Sequence, residues 1–221
     1  MSFARRLQAS RKKTGKARLI LASASPQRRT ILIDAHYDFE AVDPGEVENA
    51  IATAPTPEAL AIAKARAKAL AVAAVLPAPW PAVVIGCDTL VALGREVIGK
   101  PLDRMDAKGI LSRLSGKRQA VISGLCLWPV NGATAPGTIP AGEPILTSVT
   151  TWVTMRPMSA DEIDAYVATG QSDDKAGAYA IQETGDQFVE SLEGSLLNVV
   201  GFPLEVFEQI LPDALRAWKW S

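Results

Sequence analysis

Residues 18–36, RLILASASPQRRTILIDAH, combine an apolar strand signal, a serine-rich turn and the beginning of a helix. The run 18–22 is short and almost wholly apolar, which is typical of a buried strand. Ser25 and Pro26 predict a helix N-terminus, because serine caps the first turn and proline in the first helical position has no N–H to leave unpaired. A strand that passes through a tight turn into a helix indicates an α/β fold.

The predicted helix begins with two arginines, Arg28 and Arg29, where a cation is unfavourable. Helix N-termini carry about half a positive charge and free N–H groups, so they stabilise anions and repel cations. An anion bound here would remove that penalty. The hydroxyls of Ser23 and Ser25, backbone amides and a guanidinium together suit a phosphate. The stretch predicts a phosphate site, and a plain capped helix with solvated arginines is the alternative.

The rest of the chain alternates between strand and helix signals. Further strands are predicted at 39–42, 83–85, 119–128, 147–156 and 188–191, and further helices at 57–76, 106–115, 159–169 and 203–211. Ser159 and Glu162 form a capping box at the start of one helix. The Gly/Pro-rich stretch 129–144 predicts a surface loop. This order indicates one α/β domain over residues 18–221.

Asp88 stands where the predicted strand 83–85 ends in Gly-Cys-Asp-Thr. Open α/β sheets bind ligands at the carboxyl ends of their strands. A carboxylate there can act as a general base toward water or hold a divalent metal. Lys100 follows a hairpin-like segment and is a candidate for binding phosphates. A turn aspartate that accepts backbone N–H bonds is the alternative interpretation of Asp88.

An acidic loop and a lysine-bearing helix supply further candidates. Asp43, Glu46 and Glu48 suit Mg²⁺, which prefers oxygen ligands and keeps waters shared with substrate phosphates. Solvated loop charges are the alternative. Lys64 and Lys68 lie one turn apart on one helix face, so at least one can reach a site while the other stays in water.

The stretch 175–182, KAGAYAIQ, is a turn of small residues. Its backbone can approach a ligand closely, or it is simply a tight loop. Gln182 offers both a donor and an acceptor, which is the equipment for reading the edge of a nucleobase.

Composition narrows the possible chemistry. The 221 residues include one His and two Cys. One His cannot form a multi-His zinc site, and the two cysteines, Cys87 and Cys126, are too far apart in the sequence for a CxxC pair.

Residues 1–18 carry seven basic side chains and no acid, so residues 19–221 have a formal charge of −8. We interpret 1–17 as a flexible basic tail. The acidic domain disfavours nucleic-acid binding, and no apolar run is long enough for a membrane span. We expect a cytoplasmic protein.

Six segments in collinear order resemble the Maf family of nucleoside triphosphate pyrophosphatases. They are LILASASPQRRTIL, GCDTLVALGREVIGKP, SGKRQAVISGLCL, VTMRPMSADEIDAYVATG, DKAGAYAIQ and NVVGFPLE. The resemblance implies an α/β fold with an elongated mixed β-sheet, flanking helices and a cleft between two lobes, often in a homodimer. It also implies hydrolysis of a nucleoside triphosphate to the monophosphate and pyrophosphate, with a divalent cation, Mg²⁺ or Mn²⁺.

The resemblance also implies roles for individual residues. Ser23, Ser25 and Arg28 match the family's Ser-x-Ser-x-x-Arg signature, and Asp88 matches its proton acceptor. The other matches are the phosphate-contacting Lys64 and Lys100, the metal-proximal Glu48 beside Asp88, and the substrate-specificity positions Gln27, Thr89 and Gln182.

Thr89 and Gln182 resemble the branch of the family that acts on dTTP and UTP. Gln27 departs from it, because that branch usually has arginine there, and the preferred base, including modified pyrimidines, stays open. The alternative function is a non-catalytic nucleotide-binding regulator of cell division. Asp88 and the lysines argue against it, because binding alone does not require a carboxylate beside the triphosphate.

Overall fold

The computed structural model describes Thr14 and residues 17–76, 81–130, 142–173, 175–181 and 184–216. Three sequence predictions fall outside these residues. They concern the basic tail 1–17 apart from Thr14 and Ala17, positions 131–141 of the predicted loop, and Gln182.

One seven-stranded mixed sheet forms the centre of the described fold. Its strands are β1 Arg18–Ala22, β2 Glu40–Val42, β3 Ala82–Leu93, β4 Glu96–Ile98, β5 Arg118–Val130, β6 Ile145–Met155 and β7 Val189–Glu193. The order is β2-β1-β3-β5-β6-β7, and β4 pairs with β3. β1 is parallel to β2 and β3, whereas the remaining pairs are antiparallel. The predicted α/β fold with a mixed sheet is confirmed.

Six α-helices accompany the sheet in the described residues. They are α1 Pro26–Asp34, α2 Pro57–Ala73, α3 Arg104–Leu114, α4 Ala160–Ala168, α5 Leu196–Val200 and α6 Leu204–Arg216. Ser25 caps α1 as predicted. The sequence did not predict α5, because five residues are too few for a periodic signal. No described helix is long and apolar enough to cross a membrane.

The structure corrects the predicted position of Asp88. This residue lies in the middle of the twelve-residue strand β3 and not at its carboxyl end. β5 pairs with β3 along its length from Ala82 to Ala92, and this pairing keeps the strand extended beyond Ile85. Along the other side of β3, pairing with β1 ends at Gly86 and pairing with β4 begins at Val91.

On this side of β3, residues 87–90 therefore have no described strand beside them, which leaves a gap in the sheet, while β5 pairs with them on the other side. We call this the sheet gap. Asp88 and Thr89 lie in it and point to opposite faces of the sheet, since side chains alternate along a strand. The gap begins where β1 ends, so it still lies at the carboxyl end of a parallel strand, where α/β sheets bind ligands.

Helix α2 packs unusually close to the sheet. A Cβ atom added to Gly86 would lie 2.1 Å from the carbonyl oxygen of Ala65, and one added to Gly124 would lie 2.2 Å from that of Ala61. These glycines are therefore required for the approach of the helix, because no real Cβ fits at such distances. The close packing places the α2 side chains directly above the sheet gap.

The capping box of α4 provides a prediction about acid stability. Glu162 accepts hydrogen bonds from Arg156 Nη2 and the Ser159 N–H. The Arg156 guanidinium and the Ser159 N–H lower the pKa of Glu162 from 4.5 to about 2. A lowered folded-state pKa contributes stability above the unfolded value, and this contribution is lost as the pH falls toward the folded value. We expect Glu162→Gln to make the urea midpoint less sensitive to pH between 5 and 2. An unchanged pH dependence would contradict the assignment.

Candidate active site

A cleft of about 710 Å³ opens at the sheet gap. The turn between β1 and α1 forms one wall, residues 43–48 form a second, and residues 175–181 with the end of α5 close the others. Four basic and four acidic side chains line it: Arg28, Lys68, Lys100, Lys175, Asp43, Glu46, Glu48 and Asp88. The formal charges balance in number, and the cleft offers basic groups to an anion and acidic groups to a cation.

The described hydrogen bonds that fix the Arg28 guanidinium go to neutral groups. Its Nε donates to the Gly201 carbonyl at 2.8 Å, and its Nη1 and Nη2 donate to the hydroxyls of Ser23 at 3.2 Å and Thr89 at 3.3 Å. The residue is only 8% exposed. No carboxylate is paired with this guanidinium in the described structure, so its positive charge is available to a bound anion.

The serine-rich turn places two hydroxyls beside Arg28, in a candidate anion site. Ser25 Oγ accepts from the Arg28 N–H at 3.4 Å and caps α1, while the Ser25 N–H donates to Ser23 Oγ at 3.1 Å. Ser25 Oγ also donates to Gln27 Oε1 at 3.0 Å. An anion at this helix N-terminus would meet the helix dipole, two hydroxyls and a guanidinium.

Thr89 joins the candidate anion site to the sheet and to α5. Its hydroxyl lies 2.8 Å from Ser123 Oγ and 3.4 Å from the Gly201 carbonyl that also binds Arg28. Asn198 anchors α5 on the sheet, since its Nδ2 donates to the carbonyls of Val121 at 3.0 Å and Val149 at 3.4 Å. The carbonyl that orients Arg28 is therefore held by a helix fastened to β5 and β6.

On the other face of the gap, Lys68 binds two carboxylates. Its Nζ lies 2.6 Å from Asp88 Oδ1 and 2.7 Å from Glu48 Oε1. Lys68 and Asp88 are each 7% exposed. Glu48 Oε2 is buried and has no hydrogen-bond partner in the described structure. Two carboxylates share one ammonium, which leaves one negative charge that the described protein does not neutralise.

The carboxylates suit a hard divalent cation. Mg²⁺ binds through one or two carboxylates together with substrate phosphates, and Glu48 Oε2 has no hydrogen-bond partner among the described residues. In the part of the chain that the structure describes, no group of three or more His, Cys, Asp or Glu is arranged to hold a metal. Glu48 and Asp88 would therefore need phosphate oxygens or water to complete the coordination.

Two other ionisable groups near the cleft, Cys87 and Tyr179, are held neutral. Burial raises the pKa of the Cys87 thiol, whose Sγ donates to the Gly201 carbonyl at 3.5 Å. Burial also raises the pKa of Tyr179, whose hydroxyl accepts from Gln119 Nε2 at 3.0 Å. A thiol or phenol with a raised pKa is protonated at neutral pH, so the carboxylates are the available bases.

The family model described as "Maf-like protein" matches residues 18–214. The chain belongs to the Maf-like family. A dTTP/UTP pyrophosphatase from Vibrio cholerae is 41% identical over 195 residues, which cover 88% of this chain and 97% of the relative. Relatives with the same name from Deinococcus radiodurans and Aquifex aeolicus are 40% and 39% identical, each over 89% of this chain, covering 93% and 95% of their own length.

In this Maf-like protein, most of the side chains predicted from the sequence line one cleft. They are Ser23, Ser25, Gln27, Arg28, Glu48, Asp88, Thr89 and Lys100. Lys64 is not among the lining residues, whereas Lys68, one helical turn later, is. Gln182 lies outside the described residues, and the neighbouring Ile181 lines the cleft.

Sequence reasoning missed two features of the Maf-like site. Gly201, at the end of α5, supplies the carbonyl that orients Arg28, and nothing in its local sequence indicates this contact. Lys175 lines the cleft, although the sequence indicated only a turn of small residues there. The sequence offered one sign of this role, namely that the turn of small residues begins with a lysine.

Proposed function

We propose that this Maf-like protein is a nucleoside triphosphate pyrophosphatase that hydrolyses dTTP, UTP or a modified pyrimidine nucleotide to its monophosphate and pyrophosphate. One observation carries the proposal: a single cleft contains both an anion site around Arg28 and a buried carboxylate, Asp88. The names of the relatives, dTTP/UTP pyrophosphatases, support the same reaction and substrate.

The proposed chemistry is an in-line displacement. The oxygen of a water molecule bonds to the α-phosphorus while the bond to the bridging oxygen breaks, and the electron pair leaves with pyrophosphate. Asp88 accepts the proton of the attacking water. Arg28, Ser23 and Ser25 bind phosphate oxygens, and Lys100 neutralises charge on the leaving group. Such catalysis consists largely of positioning and electrostatic stabilisation.

Lys68 takes the place of Lys64 in the proposed mechanism. Its contacts with Glu48 and Asp88 hold both carboxylates toward the cleft. Glu48 and Asp88 would hold the divalent cation, Mg²⁺ or Mn²⁺. When bound, the cation neutralises phosphate charge and lowers the pKa of a coordinated water. The specificity residues of the proposal are Gln27, Thr89 and Gln182.

The decisive experiment measures pyrophosphate release from a nucleotide panel with Mg²⁺ or Mn²⁺. The panel contains dTTP, UTP, CTP, 7-methyl-GTP and modified pyrimidine triphosphates. We expect release to be fastest with a pyrimidine nucleotide. Tight binding of a nucleotide without any release of pyrophosphate would overturn the proposal and favour a regulator.

Gln27 provides a prediction about affinity. Gln27→Arg places a further cation beside the serine-rich turn, where Gln27 now accepts a hydrogen bond from Ser25. An exposed ion pair is worth about 0.2–1 kcal/mol, so we expect the KM for UTP to fall by roughly 1.4- to 5-fold with little change in kcat. Steady-state kinetics on the full panel checks this. A higher KM for UTP would show that Gln27 does not lie beside the triphosphate.

The resemblance to the family also supports the remaining features of the proposal. Residues 18–221 form one catalytic domain, preceded by the basic tail 1–17, and two copies associate as a homodimer in the cytoplasm. Sedimentation of the full chain, compared with a chain lacking residues 1–17, measures the oligomeric state and the contribution of the tail.

A further inference from the structure

Two lysines of the cleft, Lys100 and Lys175, have no acidic partner among the described residues. Lys68 is neutralised by Glu48 and Asp88, but no described residue forms an ion pair with Lys100 or Lys175. Elsewhere in the described structure, basic side chains commonly have such partners, as in the pairs Lys108–Asp164, Arg113–Glu96, Arg118–Glu193 and Arg156–Glu162. The unpaired cations of the cleft therefore remain available to an anionic ligand.

A backbone hydrogen bond joins the two segments that carry these lysines. The Gly177 N–H donates to the Gly99 carbonyl at 3.2 Å. Lys100 is the next residue after Gly99, and Lys175 precedes Gly177 by two positions. The bond holds the two backbones together, so two like charges are brought to the same wall of the cleft. Like charges repel, and an anion shared between them removes that repulsion.

The turn that follows Lys175 is fastened on several sides. The Ala178 N–H donates to the Lys175 carbonyl at 3.0 Å, and the Ala180 N–H donates to the Tyr166 hydroxyl at 3.1 Å. Gln119 Nε2 donates to the Tyr179 hydroxyl at 3.0 Å. The backbone of Lys175 is therefore fixed relative to β5 and α4, and only its side chain must be ordered when a ligand binds.

We propose that Lys175 is a second phosphate-binding lysine, which acts with Lys100 on the pyrophosphate leaving group. The inference rests on the proposed function. As the bond between the α-phosphorus and the bridging oxygen breaks, the electron pair moves onto pyrophosphate, and two adjacent ammonium groups neutralise that charge. Charge-assisted hydrogen bonds to phosphate are among the strongest that a protein side chain makes.

The test uses the full-length chain with Lys175→Gln. We expect kcat/KM for UTP to fall roughly 10- to 100-fold, the range of a charged hydrogen bond. The inhibition constant for inorganic pyrophosphate should rise by a similar factor, while that for UMP should not change. The urea midpoint should not fall, because no described ion pair is lost. Lys117→Gln removes an exposed lysine outside the cleft and should leave all four measurements unchanged.

An unchanged inhibition constant for pyrophosphate, or a change confined to UMP, would overturn the role of Lys175. Calorimetric titration of pyrophosphate into the wild type and the Lys175→Gln variant provides the same comparison without turnover. If the wild type releases no pyrophosphate from any nucleotide, the proposed function fails. If it releases pyrophosphate and both proteins bind pyrophosphate equally, the inference about Lys175 fails alone.

Discussion

Asp88→Asn is expected to lower the turnover of UTP by about 10²- to 10⁴-fold, which is the usual contribution of a general base. The substitution keeps the size of the side chain and an oxygen that can accept from Lys68, which now donates to Asp88 Oδ1. Lys68 also keeps Glu48 as a partner. The variant should therefore fold, and its loss should appear in kcat more than in KM because the missing proton acceptor acts only during reaction.

Rates of pyrophosphate release at saturating UTP measure the effect. Glu193→Gln is a matched control, because it also removes one carboxylate paired with a basic side chain, Arg118, but lies on the last strand outside the cleft. We expect its turnover to equal that of the wild type. Unchanged turnover in Asp88→Asn would remove Asp88 from the mechanism.

Gly124→Ala is expected to lower the free energy of unfolding by about 3 kcal/mol, at the upper end of the usual overpacking cost. The new methyl group would lie 2.2 Å from both the carbonyl carbon and the carbonyl oxygen of Ala61. These are backbone atoms of α2, so relief requires movement of the whole helix. Because α2 carries Lys68, the variant should also lose turnover in proportion to the displacement.

Urea unfolding gives the size of the effect, with a lower midpoint and an unchanged slope. Gly109→Ala is the control for adding a methyl group to a glycine. Gly109 lies within α3, and nothing is within 4 Å of the position of its new Cβ. Alanine is the better helix former, so this variant should be more stable by about 0.5–1 kcal/mol. Equal stability of Gly124→Ala and the wild type would contradict the close packing.

Local signals in the sequence predicted much of the fold. The strand 18–22, the cap of α1 at Ser25 and the capping box of α4 depend on neighbouring residues, and the structure contains all three. The extent of β3 depends on pairing with β5, whose partner residues lie 28 to 48 positions further along the chain. A short apolar run followed by Gly-Cys-Asp-Thr contains no sign of that partner, so the predicted strand ended too early.

The choice between Lys64 and Lys68 could not be made from the sequence. The two side chains share a helix face and differ by about 6 Å along the helix axis, at 1.5 Å per residue. Which lysine reaches Asp88 depends on where α2 crosses the sheet, and the contacts at Gly86 and Gly124 set that position. The sequence contains only an indirect sign of this crossing position: the small residues Ala61 and Ala65 recur on the face of α2 that contacts these glycines.

The sheet gap means that the cleft is created by strands that stop early. β1 ends at Ala22, and the serine-rich turn then leads into α1, whose first residue, Pro26, has no N–H to donate to a neighbouring strand. The residues of the proposed anion site therefore also limit the length of β1. An insertion that let β1 continue alongside Cys87 and Asp88 would fill the cleft with main chain, and the site would close without the loss of a single functional side chain.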